Sequence, residues 1–79
     1  MICDFYQDLE KYQSLLAQVG LSRWAGEIHD AVRGGATGAE ILLKVRWVLT
    51  RMLNENTIAQ KVSDPARDFV EYINRALQA

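Results

Sequence analysis

The segment that most constrains this chain is a run in which nine large apolar side chains, Ile41, Leu42, Leu43, Val45, Trp47, Val48, Leu49, Met52 and Leu53, fall within thirteen residues. At about 100° per residue, a helix there puts Ile41, Val45, Val48, Leu49 and Met52 on one face, with Leu42 and Leu53 at its margin. Leu43, Trp47, Thr50 and Asn54 make a second, thinner stripe, flanked by Lys44 and Arg51 on one side and Arg46 on the other. A helix with one apolar stripe packs on one neighbour; a second stripe demands a central position or a partner. The expected fold is therefore all-α, a compact bundle of about four helices plus a short helical turn, with the third helix central.

The first helix follows from Phe5, Leu9, Tyr12, Leu16 and Val19, which recur at spacings of four and three residues. Asp4 stands where an N-cap belongs, and Gly20 supplies a left-handed stop. A second helix, with Ser22 expected as its cap, carries Trp24, Ala25, Ile28, Ala31 and Val32 and ends at Gly34 and Gly35. Gly26 inside it either weakens the helix or admits a close neighbour. Thr37-Gly38-Ala39-Glu40 reads as a capping box opening the third helix, expected over residues 38–54. Thr57 and Gln60 form a second such match, and Pro65 suits the first turn of a new helix capped by Asp64. The expectation is thus a short turn over 57–62 and a last helix over 65–77 burying Ala66, Phe69, Ile73, Ala76 and Leu77. One long helix kinked at Pro65 is the alternative. The expected core is Phe5, Leu9, Tyr12, Leu16, Val19, Trp24, Ile28, Val32, Ile41, Val45, Val48, Leu49, Met52, Phe69, Ile73 and Leu77.

Seventy-nine residues read as one helical domain over 1–79, and a chain this short buries only roughly 60% of the surface that its unfolded form exposes. A hydrophobic content of 49% suffices for a core and excludes a disordered chain. No unbroken apolar run exceeds three residues, which excludes a membrane-spanning helix. Cys3 is the one cysteine, so no intramolecular disulfide forms, and with no signal peptide evident a reducing cytoplasm is the expected compartment. The net charge of −1 hides an uneven distribution: residues 1–30 sum to −3, residues 31–54 to +3 and residues 55–79 to −1. The acidic start and basic middle can pair within the fold, so charge selects no partner class.

Catalysis has little support. The lone histidine and lone cysteine lie far apart, without a nucleophile motif or a glycine-rich phosphate loop. His29 falls at the edge of the second helix's buried face, where a hydrogen bond to a neighbouring helix is the expected role. Structural zinc usually takes four nitrogen or sulfur ligands and this chain offers two, so no metal and no cofactor is expected. Asp64, Asp68 and Glu71 lie one and two turns apart beside Arg67 and Arg75, the pattern of a solvated charged face.

The Leu43/Trp47 stripe carries the functional expectation. If flanking helices cover it, the stripe is core. If they do not, Trp47 ringed by Lys44, Arg46 and Arg51 has the composition of a protein-binding hot spot, and a homodimer seam using part of the stripe, which is the expected assembly, satisfies both. Such a seam would need acids for the three cations, from Asp4, Asp8 or Glu10 of a second copy. The expected function is a small non-enzymatic module binding a protein partner through Leu43, Lys44, Arg46, Trp47 and Arg51. The alternative is a helix-turn-helix-like DNA-binding regulator, using the glycine-rich turn and the basic helix that follows. Against that, the helix opens on Gly38, Ala39 and Glu40, which read bases poorly. In size and helix content the chain resembles the compact all-α inhibitors, antitoxins and immunity proteins of bacteria and their phages, a likeness that transfers no functional residue.

Overall fold

Four helices follow one another in the computed structural model, which describes residues 4–55 and 58–78: α1 (Phe5–Gln18), α2 (Ser22–Gly34), α3 (Gly38–Leu53) and α4 (Gln60–Gln78). Helix ends leave free backbone amides and carbonyls, and α1 and α3 open on side chains that satisfy part of them. The Asp4 carboxylate accepts from the Gln7 amide at 3.1 Å and starts α1. At the other end Gly20 takes φ +84°, and the amides of Gly20 and Leu21 donate back to the carbonyls of Ala17 and Leu16. That paired closure turns the chain so sharply that α2 begins at once. Leu21, rather than the expected Ser22, occupies the cap position, its carbonyl accepting from the amides of Trp24 and Ala25, and no side chain caps the helix.

The capping box of α3 forms with one variation. The Thr37 hydroxyl accepts from the Glu40 amide at 3.2 Å, while the Glu40 carboxylate reaches the amide of Ala36 at 3.1 Å. The preceding helix end is closed by the Lys44 ammonium, which donates to the Gly34 carbonyl at 3.1 Å, a cation where the α2 dipole is negative. Gly26 is exposed with nothing within 4 Å of where a side chain would start, so it admits no close neighbour and simply lowers helix propensity.

The helices pack as a ring in chain order. α2 lies between α1 and α3, α3 lies between α2 and α4, and α4 returns to touch α1 lightly. The core fills the middle: Leu9, Leu16, Ile28, Val45, Leu49, Met52, Val62 and Ile73 are almost completely buried. Of the expected core, Val19, Val32, Ile41 and Leu77 sit partly buried at its rim. Ala31 and Ala66, expected on the apolar faces of their helices, join it together with Val62, whereas Ala76, expected to be buried, is exposed because it lies off the inward face of the last helix. Aromatic rings fill the thin α1/α4 seam. Phe5 meets Phe69 edge-on at 5.8 Å and stacks on Tyr72 at 5.2 Å, and Tyr12 meets Phe69 at 5.4 Å. Side chains of this size hold two backbones apart, which is why these helices share so little close backbone contact.

The last helix departs from the expected division. Residues 60–78 form one α-helix with Pro65 inside it, so there is no separate turn ending at 62, and Asp64 is a helical residue and not a cap. Thr57 lies outside the described residues. A proline in a helix interior forfeits one backbone hydrogen bond and costs about 3 kcal/mol. Two features of the tertiary structure offset this. Val62 and Ala66 are completely buried, and a valine side chain taken out of water returns about 2 kcal/mol. The carbonyl that would have received the missing amide belongs to Lys61, an exposed residue and not one of the buried core.

One buried bond ties α1 to this stretch: the Tyr12 hydroxyl donates to the Val62 carbonyl at 2.7 Å. Burial pushes the Tyr12 phenol well above the ordinary tyrosine value, because the phenolate would lose its hydration. The folded state therefore keeps the phenol neutral where the unfolded chain would ionise it. The stabilisation is complete below about pH 10 and drains away as the pH rises past that point. Tyr12→Phe is expected to cost about 1 kcal/mol at neutral pH and to flatten the alkaline loss of stability. Denaturation midpoints of both chains at neutral and strongly alkaline pH check this; parallel profiles would remove Tyr12 from the alkaline transition.

Candidate functional site

α3 presents its wide apolar stripe inward and its narrow one to solvent. Val45, Val48, Leu49 and Met52 are buried, with Ile41, Leu42 and Leu53 partly so, whereas Leu43, Trp47, Thr50 and Asn54 are all exposed. Trp47 is 62% exposed and Leu43 46%, and only Tyr6 joins them among the exposed large hydrophobic side chains of the described residues. The ring arrangement explains why. α2 and α4 flank α3 on its two sides, and no third helix lies over its outer face.

The cations around this stripe are anchored within the chain. Arg46 donates to the Asn74 side chain of α4 at 2.7 Å, Arg51 pairs with Glu27 of α2 at 2.7 Å, and Lys44 is held by Gly34. The expected need for Asp4, Asp8 or Glu10 of a second copy therefore disappears; one carboxylate, one amide and one carbonyl of the same chain do the work. Glu27 was not singled out in the sequence, although its place one turn after Arg23 and on the Trp24 side of α2 was readable. It also receives Arg23, at 3.7 Å.

Arg51 does more than pair. Its guanidinium lies over the Trp47 ring at 4.5 Å and over the buried Trp24 ring at 5.4 Å, so it bridges a core tryptophan and a surface one. Cation–π contact and the Glu27 ion pair together hold one face of the Trp47 indole. An aromatic side chain held in this way loses less rotamer freedom on binding than a mobile one. Beside it, a shallow groove between α2 and α3 is lined by Glu27, Asp30, Ala31, Lys44, Trp47 and Val48.

The remaining titratable groups show no comparable organisation. His29 is exposed, on the wall of an open depression between α1 and α2 shared with Tyr6, Glu10 and Arg33, and is not the core-edge residue expected. Asp64, Asp68 and Glu71 are exposed, Asp64 pairing with Arg67 at 3.2 Å and Glu71 with Arg75. Among the described residues, no three His, Cys, Asp or Glu side chains gather as a metal site would require, and no helix is long and apolar enough to cross a membrane. Cys3 lies outside the described residues. Comparison with known protein families, characterised proteins and solved structures finds no match to this chain.

Proposed function

We propose that this chain is a small non-enzymatic module that works by stoichiometric association with another protein, in the manner of an inhibitor, an immunity protein, an antitoxin or a phage anti-defence protein. Trp47 and Leu43 anchor the contact, with Lys44, Arg46 and Arg51 as its rim. The observation that carries this reading is the exposure of Trp47, at 62%, on an indole held by Arg51 and Glu27. An exposed tryptophan adds little to its own fold. Fixed in orientation beside an exposed leucine and rimmed by arginine, it has the composition of a hot spot, where a few aromatic and arginine side chains carry most of the binding energy. Action would be steric: the bound module covers a working surface of its partner.

The DNA-binding alternative draws less support. The outward face of α3 is apolar at its centre, and its cations are engaged by Gly34, Asn74 and Glu27, whereas phosphate contacts call for cations projecting together. A cytoplasmic setting is consistent with the binding-module proposal.

Truncating a central aromatic anchor weakens a complex by about 2 kcal/mol or more, roughly thirtyfold in Kd. Affinity capture from the source cell, followed by native mass measurement, should recover a complex of fixed stoichiometry. Trp47→Ala should lose it and Asp68→Ala retain it. Equal recovery by both variants would remove Trp47 from the interface. Tight binding to duplex DNA that weakens steeply with salt would favour the regulator instead.

A further inference from the structure

We propose that the Leu43/Trp47 face, when free of its protein partner, is closed by a second copy of this chain, each copy setting its Trp47 against the α2/α3 groove of the other. This rests on the reading of that face as the binding surface. The groove has a buried floor, Ala31 and Val48, and Trp47 stands along one side of it. On the opposite wall Asp30 is exposed and forms no ion pair among the described residues. A desolvated indole needs apolar walls for its ring and an acceptor for its N–H. Ala31 and Val48 supply the first, and the Asp30 carboxylate the second.

A surface that carries a protruding group next to the slot that accepts it can meet itself about a two-fold axis. Each copy then gives and receives the same group, and assembly stops at two. The charges allow this meeting. Asp30 stands on the α2 side of the groove and Lys44 on the α3 side, and neither forms an ion pair among the described residues, whereas Arg51 and Glu27 already pair within the chain. A two-fold axis running along the groove lays α3 of each copy over α2 of the other, setting Lys44 of each against the Asp30 side of the other. The area required is modest: a standard interface buries about 800 Å² per copy, under a sixth of the 5112 Å² this chain exposes.

Sedimentation velocity of the whole chain, from low micromolar to millimolar concentration, tests the proposal. A monomer–dimer equilibrium is expected, with the dimer Kd raised about thirtyfold in Trp47→Ala and raised also in Asp30→Lys. Trp47 is exposed, so its removal should leave the helical circular dichroism unchanged, which separates lost association from lost folding. In a Trp24→Phe chain, Trp47 emission should shift to the blue as concentration rises. A monomer at every concentration overturns the dimer, as does a dimer indifferent to Trp47→Ala or assembly growing beyond two. Should the protein stay monomeric while Trp47→Ala still loses the partner complex, the binding face stands and self-closure fails. A Trp47-dependent dimer whose partner complex survives the substitution supports self-closure and removes the partner reading.

Discussion

Leu49→Ala is expected to lower the unfolding free energy by about 3 kcal/mol, within the roughly 2–5 kcal/mol that such truncations cost in a packed core. Leu49 is completely buried, in the same core as Val45, Met52 and Ile73, which are buried to the same degree. The loss has two parts, the transfer energy of the deleted groups and the cavity left where the surrounding helices fail to collapse. Domains are stable by about 5–15 kcal/mol, and one of 79 residues belongs near the bottom of that range, so this single change threatens the fold. Asp68→Ala, on the exposed face of α4, should stay within about 0.5 kcal/mol of the parent. Urea unfolding followed by circular dichroism reads both. Coincident midpoints for the two variants would mean that α3 does not bury the face assigned to it.

Gly35→Ala should also destabilise, by about 1–3 kcal/mol, the cost of overpacking a close contact. The reason is space and not conformation. Gly35 has φ −82° and ψ 136°, where any residue is at ease. A side chain there would begin only 3.0 Å from the Ile41 amide nitrogen and 3.1 Å from its Cα, backbone atoms that cannot swing aside. If space were open, the same substitution would stabilise by about 0.4–1 kcal/mol through the unfolded chain, so the sign of the change decides. Gly26→Ala is the built-in contrast, because its surroundings are empty and the substitution improves a helix interior. Thermal melts showing both variants shifted upward would rule out the close approach of the α2–α3 turn to the first turn of α3.

That turn matters beyond stability, because it sets α2 and α3 side by side. The Lys44–Gly34 bond and the Arg51–Glu27 pair link the two helices along the edge where Trp47 stands. Loosening it at Gly35 should therefore widen the groove as well as lower the melting temperature.

Local chemistry determined much of this protein. The Phe5-to-Val19 stripe, the Asp4 cap, the left-handed Gly20 and the Thr37 capping box were all legible, because each depends on residues within about one helical turn. The two faces of α3 were equally plain from spacing alone. The tertiary structure decided whether the second face is covered, since that depends on which helices close around α3, a matter of through-space packing that periodicity does not encode. It also decided the helix around Pro65, where burial of Val62 and Ala66 offsets a local preference to break. The partners of Lys44, Arg46 and Arg51 belong to the same class: Gly34, Asn74 and Glu27 lie ten to twenty-eight residues away in sequence. Short-range patterns specify which residues form helices and which sides are apolar; only the packed bundle determines which apolar side is left exposed.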